Sequence, residues 1–409
     1  MTAVPGPIDP GTTTLQRTRS RTRWFGIWFP VTVFLLFRLY AAVAISYLSG
    51  RQVAMPASTR DTFMYGPLPA HPGYWSVITN WDGQWYRYIA SDGYGGVSPS
   101  GNSPYEIYHT WAFPPGFPLI TRLVMQTGLS FPVAATVVNV ICGAAAMILL
   151  FRLLADRKGS FYAGAGIVLF NSFLTAPLLQ AAYSEAMGLL LLVTAFLFLS
   201  KRRYLWATVA IVALSLVRII TPPFGLVALV HLIARWRHRT EDPFGWGERI
   251  SLTVLGLVSV AGAMTWSLTS GLISSVPTGG SSRVEDTSIG AWFIGTYKIF
   301  GWWFPALIVV ALVAAVVISM LPMMRGWGLD IRTWFWGYPL FLALVTGPNF
   351  GLLRYLLLCF PLLFPVIGFL GWGKRFVVVK VSVVVLLGLV LQWWWIGHLL
   401  VIYPGSMMP

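Results

Sequence analysis

Residues 131–153 read FPVAATVVNVICGAAAMILLFRL, an apolar segment interrupted by a single charged side chain, Arg152. A run of about 20 apolar residues is long enough to cross the hydrocarbon core of a bilayer as a helix. The apolar residues follow one another without the alternation that is typical of a transmembrane barrel strand. Because backbone polar groups in lipid must be satisfied within the segment, we expect a transmembrane α-helix here.

Similar segments recur along the whole chain of 409 residues, of which 56% are hydrophobic and 10% are charged. A soluble domain would carry about 25% charged residues. The sequence therefore predicts an all-α polytopic membrane protein with about 11 transmembrane helices. The expected spans are residues 24–49, 131–153, 161–180, 185–200, 204–220, 224–234, 250–272, 302–324, 334–347, 356–372 and 377–402.

The net charge of +15 comes from short basic clusters between the apolar spans. This distribution is typical of the positive-inside rule, so we expect the clusters on the cytoplasmic side, in contact with membrane lipids, and no nucleic-acid partner. The clusters are Arg17, Arg19, Arg21 and Arg23; Arg157 and Lys158; Lys201, Arg202 and Arg203; Arg235, Arg237 and Arg239; Arg325 and Arg332; Lys374 and Arg375.

The chain is expected to form one membrane domain, residues 24–409, after a disordered basic cytoplasmic tail, residues 1–23. Its largest hydrophilic stretch, residues 50–112, follows the first span and is predicted to be a long extracytoplasmic loop. The loops on the opposite side are short, which favours a bacterial plasma membrane as the location.

The sequence Trp81-Asp82-Gly83-Gln84-Trp85-Tyr86 lies in this loop. A carboxylate among aromatic residues at the water–lipid boundary indicates acid–base chemistry there. The structural alternative is that Asp82 is a turn or cap residue. Aromatic rings stack on sugar faces, but they also lie at membrane interfaces, so their presence alone does not distinguish the two interpretations.

Four sequence blocks in residues 24–220 together resemble the PIG-V family of mannosyltransferases, which has the GT-C fold. The chain has Pro114 where a second Phe is usual in that family. The blocks are Trp81-Asp82, Tyr88-Ile89-Ala90-Ser91-Asp92-Gly93-Tyr94, Ala112-Phe113-Pro114-Pro115-Gly116-Phe117-Pro118 and Ala182-Tyr183-Ser184-Glu185.

The resemblance implies an inverting membrane glycosyltransferase with a polyprenyl phosphate sugar donor, in which mannose is the expected sugar. The acceptor would be a hydroxyl of a glycolipid or glycan on the extracytoplasmic face. Asp82 would be the general base, and a single displacement needs no second carboxylate as a nucleophile. The lipid-phosphate sugar is a substrate, so we expect no cofactor. The sequence contains no metal-binding motif such as Asp-x-Asp.

The departing phosphate needs positive charge, and Arg218 and Arg354 lie near the ends of two spans on the expected active side. Their structural alternative is snorkelling to the interface. Arg38 lies in the middle of the first span and is expected to form a structural ion pair, with Glu185 as one possible partner. The expected donor and acceptor contacts are Trp81, Trp85, Tyr86, His109, Tyr183, Glu185, Arg218 and Arg354.

Two other classes of function remain open at this stage. A transporter or lipid flippase would show related halves and broken helices, and the sequence shows no matching halves. A non-catalytic membrane subunit would retain the same blocks without activity. Sugar transfer by the purified protein alone would distinguish an enzyme from both.

Overall fold

The computed structural model describes residues 10–54, 68–94, 110–273, 294–298, 301–346, 351–368 and 373–402, with side chains from Trp24 onward. Helices make up most of these residues. The α-helices are α1 Pro10–Leu48, α2 Tyr74–Val77, α3 Asp82–Asp92, α4 Gly116–Met125, α5 Phe131–Lys158, α6 Ser160–Asn171, α7 Glu185–Ser200, α8 Tyr204–Ser215, α9 Pro222–Arg237, α10 Trp246–Ile273, α11 294–298, α12 Trp303–Met320, α13 Pro322–Arg325, α14 Leu329–Val345, α15 Gly351–Tyr355, α16 Phe364–Gly368 and α17 Gly373–Trp395. Short 3₁₀ turns are Ser49–Arg51, Ala176–Leu179 and Leu356–Leu358, and Ile396–Leu400 is a π-helix.

Successive helices from α5 to α10 run between two opposite ends of a bundle. At one end, Arg235 pairs with Glu248 at 2.9 Å and with Asp242. Asp242 also pairs with Arg202, so the ends of α7 and α9 meet the start of α10 there. We call this the basic end; at the opposite end lie the starts of α5, α7 and α9.

Five helices of the described part of the chain are long and apolar enough to cross a membrane. They are Trp24–Arg51, Phe131–Lys158, Trp246–Ile273, Trp303–Met320 and Gly373–Leu400. Only 6% of the apolar window in α12 is buried by the rest of the protein. Apolar surface of this extent is unfavourable in water, so the chain is an all-α membrane protein embedded in lipid.

Three predicted spans are shorter or more broken than expected. Span 161–180 ends as a helix at Asn171, and span 204–220 ends at Ser215. In place of a continuous span over 356–372, the described residues form a 3₁₀ turn, Leu356–Leu358, and the short helix α16, Phe364–Gly368. Prolines in or beside these segments remove backbone donors, which apolar content does not reveal.

The chain between α6 and α7 is irregular backbone inside the bundle, and amide side chains from neighbouring helices satisfy it. Asn139 Nδ2 donates to the carbonyl of Tyr183 at 2.8 Å and also to that of Ala181. Gln392 Nε2 donates to the carbonyls of Asn171 and Phe173, each at 2.9 Å. Irregular backbone at membrane depth is tolerated where such partners surround it.

The segment expected to be a long polar loop, residues 50–112, is helical and buried over much of its described length. α3 buries most of its residues, including Trp85 and Ile89, against the bundle. At the other side of the first span, α1 begins at Pro10, within the segment expected to be a disordered tail. Asp82 therefore lies at the first position of a packed helix and not in an open loop.

A bidentate ion pair joins α5 to α14 at the basic end. Arg157 donates to both carboxylate oxygens of Asp330, each at 2.6 Å, and Asp330 is 7% exposed. We expect Asp330→Asn to lower the free energy of unfolding by about 2 kcal/mol, because it leaves a largely buried guanidinium without its counter-charge. Thermal unfolding in lipid nanodiscs would measure this loss. Asp156→Asn, an exposed position one residue from Arg157, is the control, and an equal loss in both variants would contradict the assignment.

Candidate functional site

Four charged side chains meet at the end of the bundle opposite the basic end. Arg354 Nη2 lies 2.5 Å from Asp82 Oδ2, and Arg218 Nη1 lies 2.8 Å from Glu185 Oε1. Arg354 Nε lies 3.7 Å from the same Glu185 oxygen and so connects the two pairs. We call these four residues the charge cluster. Asp82 begins α3, Glu185 begins α7, Arg218 lies between α8 and α9, and Arg354 lies in α15.

The charge cluster has a closed side and an open side. The Glu185 side chain is fully buried, whereas that of Asp82 is 22% exposed. The side chains of Arg218 and Arg354 are 10% and 6% exposed. An incoming molecule can therefore reach Asp82, while Glu185 is available only to the two arginines.

The backbone around Asp82 is strained and held in place by packing. Trp81 has a φ of 57°, in the left-handed region that bulky residues rarely adopt, and its ring is only 6% exposed. Such strain costs roughly 1–3 kcal/mol and persists where the surroundings enforce it. Asn80 Nδ2 donates to Gln52 Oε1 at 2.8 Å, and Tyr183 OH donates to the carbonyl of Asn80 at 2.9 Å. These bonds fix the turn that places Asp82.

The proline-rich block fixes Arg218 through a close backbone contact. The amide of Gly116 donates to the carbonyl of Leu216 at 2.7 Å, and a Cβ at Gly116 would lie 2.7 Å from that oxygen. One turn into α7, Gly188 leaves room for the Arg218 side chain, whose Cδ would lie 3.0 Å from an added Cβ. The proline-rich block therefore holds the backbone of Leu216, two positions before Arg218, in place.

We expect Gly116→Ala to displace the Leu216–Arg218 backbone, because the added methyl group collides with a carbonyl that cannot rotate away. The variant should lose about 2 kcal/mol of stability, as overpacking usually does. Thermal unfolding would measure this loss. Gly50→Ala is the control, since a Cβ there meets nothing within 4 Å. If Gly116→Ala were as stable as wild type, Gly116 would not be required to position the Leu216–Arg218 backbone.

Tyr355 contacts both arginines and Ser184 contacts one of them; the sequence assigned neither residue a role. The guanidinium groups of Arg354 and Arg218 lie 4.9 Å and 5.5 Å from the Tyr355 ring centroid. Arg354 Nη2 also donates to Tyr355 OH at 3.2 Å, and Arg218 Nη1 donates to Ser184 Oγ at 3.0 Å. Tyr355 is adjacent to Arg354 in the sequence, and Ser184 belongs to the block that ends in Glu185. The two residues therefore help to hold the guanidinium groups in the charge cluster.

Three aromatic residues among the predicted donor and acceptor contacts are packed inside the protein. Trp81, Trp85 and Tyr86 are 6%, 2% and 4% exposed, so their ring faces contact protein and do not form an open platform. Tyr86 OH lies 2.9 Å from Ser184 Oγ, beside Arg218. Burial raises the pKa of the Tyr86 hydroxyl above its ordinary value, which keeps it protonated. These residues shape the floor of the site and position α3.

The other predicted site residues divide into three groups. Tyr183 lies at the charge cluster, with its ring 5.4 Å from the guanidinium carbon of Arg354. His109 lies outside the described residues. Arg38 does not pair with Glu185, which contradicts the expected ion pair; its Nη1 donates to the carbonyl of Ala176, and its guanidinium lies 5.1 Å from the Phe34 ring centroid. Glu185 instead lies 2.8 Å from Arg218 Nη1 and 3.7 Å from Arg354 Nε.

Within the described ranges, no group of three or more His, Cys, Asp or Glu side chains is arranged to hold a metal ion. The two cysteines, Cys142 and Cys359, are both free.

The fold and the site define a helical membrane protein with two carboxylates and two arginines in a recessed cluster that is open at Asp82. No model of a known protein family and no curated protein sequence matches this chain.

Proposed function

We propose that the protein is an inverting membrane glycosyltransferase that moves a sugar from a polyprenyl phosphate donor to a hydroxyl of a glycolipid or glycan. The observation that supports this most is the pairing of one accessible carboxylate, Asp82, with Arg354 and a neighbouring Arg218. This transfer requires a base that accepts the proton of the hydroxyl and positive groups that bind the phosphate, and a carboxylate and a pair of arginines can perform these two functions. Mannose as the sugar follows from the resemblance to the PIG-V family.

In the proposed reaction the acceptor hydroxyl gives its proton to Asp82 as its oxygen bonds to the anomeric carbon. The bond between that carbon and the phosphate oxygen breaks, and its electron pair leaves with the phosphate. Arg354 and Arg218 stabilise the charge that develops on the leaving oxygen. A carboxylate must come within about 3 Å of the hydroxyl it deprotonates, and Asp82 has the exposure for this contact.

Glu185 is excluded from the role of base by its environment. Its side chain is fully buried and faces two arginines. An acceptor hydroxyl would have to displace both guanidinium groups to reach it. Glu185 instead holds Arg218 and Arg354 close together although they carry the same charge.

The proposed side of the membrane follows from the position of the charge cluster relative to the basic end. α7 has 16 residues and is about 24 Å long, with Glu185 at one terminus and the basic end at the other. The hydrocarbon core is about 30 Å thick, so the cluster would lie slightly below the far interface. A lipid phosphate at that interface would reach it. The positive-inside rule supports an extracytoplasmic position for this face, and the short loops on the opposite side support a bacterial plasma membrane as the proposed location.

One structural feature favours a second candidate function, transport or flipping of a lipid phosphate. Three segments of irregular backbone, residues 172–184, 216–221 and 356–363, interrupt the helices near buried charges. Transporters use such breaks to bind substrates at membrane depth. The glycosyltransferase proposal is preferred because the accessible group is a carboxylate, which can accept a proton from an acceptor hydroxyl.

The test is transfer by the purified protein alone in liposomes. Polyprenyl phosphate mannose with a labelled sugar is supplied together with a membrane-lipid extract as acceptor pool. Formation of a labelled lipid product supports the enzyme and excludes a non-catalytic subunit. Movement of intact donor across the bilayer without a product would support the flippase instead. If neither a product nor movement of the donor were detected with a set of donors that differ in their sugar, both proposals would be refuted.

A further inference from the structure

We propose that a cavity at the basic end binds one anionic phospholipid, with the lipid phosphate beside two arginines and the acyl chains on the lipid-facing side of α8. The cavity has a volume of about 330 Å³. Its walls come from the connection between α7 and α8 and from the first turns of α8 and α10. This inference goes beyond the proposed function and does not depend on it, because the charge cluster lies at the opposite end of the bundle.

The charged groups around the cavity leave one positive charge without a counter-ion. Arg202, Arg203 and Glu248 line the cavity. Glu248 lies 2.9 Å from Arg235, which is therefore its partner. Asp242 is shared between Arg202 and Arg235. Three arginines thus face two carboxylates, and a phosphodiester, with its single negative charge, would complete the balance.

Arg203 is the arginine with donors to spare. Its side chain is exposed and forms no ion pair with any residue that the structure describes. Arg202, its neighbour, is only partly neutralised, because its carboxylate partner also serves Arg235. Guanidinium groups match the oxygens of a phosphate with planar pairs of N–H donors. On the α10 side of the cavity, the hydroxyl group of Ser251 is a further donor.

The rim of the cavity is apolar and faces the membrane. Leu205 and Trp206 line the cavity, yet they are 69% and 57% exposed. Val209 and Val212 are also exposed, and their spacing from Leu205 places all three on one side of α8. In a membrane-embedded helix, such a side contacts acyl chains.

The size of the cavity separates the two parts of the ligand. Ligand cavities in proteins measure about 300–1,000 Å³, so this one is large enough for a phospholipid headgroup but not for its chains. The chains would continue from the rim along Leu205, Val209 and Val212. A charged cavity that opens onto an apolar stripe therefore fits an amphiphile better than a free phosphate compound.

The test is lipid binding by the purified full-length protein. Protein in a neutral detergent is titrated with dioleoylphosphatidylglycerol, which carries one negative charge, and native mass spectrometry counts the bound molecules. We expect the first molecule to bind about tenfold more tightly than zwitterionic dioleoylphosphatidylcholine. Glycerophosphoglycerol, the same headgroup without acyl chains, should bind about 100-fold more weakly or less.

Two variants locate the binding site. Arg203→Gln should weaken binding of the first phosphatidylglycerol about tenfold, because it removes a charged donor to the phosphate. Lys201→Gln removes the same charge from an exposed position in the same connection that does not line the cavity. This matched control should bind as wild type does. Thermal unfolding without added lipid establishes that both variants are folded.

Each contrary result overturns a defined part of the proposal. Equal losses in Arg203→Gln and Lys201→Gln would overturn the cavity as the site and leave a general attraction of the basic end for anionic lipids. Equal affinity for the two phospholipids would overturn the role of charge. Equally tight binding of glycerophosphoglycerol would overturn a lipid as the occupant and indicate a soluble phosphate compound instead.

Discussion

Asp82→Asn is expected to lower the rate of sugar transfer by about 10²–10⁴-fold, because Asn accepts no proton from the acceptor hydroxyl. The substitution preserves the shape of the side chain at the start of α3. Its carbonyl oxygen can still accept a hydrogen bond from Arg354, so the fold should survive. Transfer to a membrane-lipid acceptor at saturating donor would measure the effect, and thermal unfolding would confirm an intact protein.

Asp92→Asn removes the same charge from the same helix at an exposed position and is the matched control for this experiment. Transfer by this variant should equal that of wild type. If Asp82→Asn transferred sugar at the wild-type rate, Asp82 would be a helix-terminal carboxylate and not the base. Another residue would then be the base.

The sequence was sufficient to predict the helical membrane class and several components of the site. An apolar run such as Phe131–Lys158, and a basic residue such as Arg157 at its end, can be recognised from neighbouring residues in the sequence alone. Asp82, Arg218 and Arg354 were each identified from residue type and position. Their contacts were not predictable, because Asp82 and Arg354 are separated by 272 positions in the chain.

The errors had physical causes that local patterns do not contain. Trp81 and Trp85 were expected to contact donor or acceptor, and the sequence did not show that tertiary packing buries both residues. Glu185 was one partner considered for Arg38, but a backbone carbonyl is the acceptor of Arg38, and Glu185 pairs with Arg218. The helix break after Asn171 is stabilised by the side chains of Asn139 and Gln392, and the backbone amide of Gly116 bonds to Leu216 at the break after Ser215, which hydropathy cannot indicate.

Glu185→Gln is expected to cost about 3–5 kcal/mol of stability, the range found when one partner of a buried ion pair is removed. Arg218 loses its counter-charge, and Arg354, 3.7 Å from the same oxygen, no longer has an anion between it and Arg218. The two guanidinium groups then repel each other in a region of low dielectric. Thermal unfolding in the same nanodiscs would measure the loss.

A double variant distinguishes the structural role of Glu185 from its role in the site. Glu185→Leu combined with Arg218→Met removes both charges of the pair and should recover much of the stability lost in Glu185→Gln, since an apolar pair can replace a buried ion pair at little cost. Sugar transfer should not recover, because the phosphate has lost one of its two arginines. Recovery of transfer together with stability would show that Arg218 serves the fold alone.

Wild-type stability of Glu185→Gln would show that the buried carboxylate does not hold the arginines together.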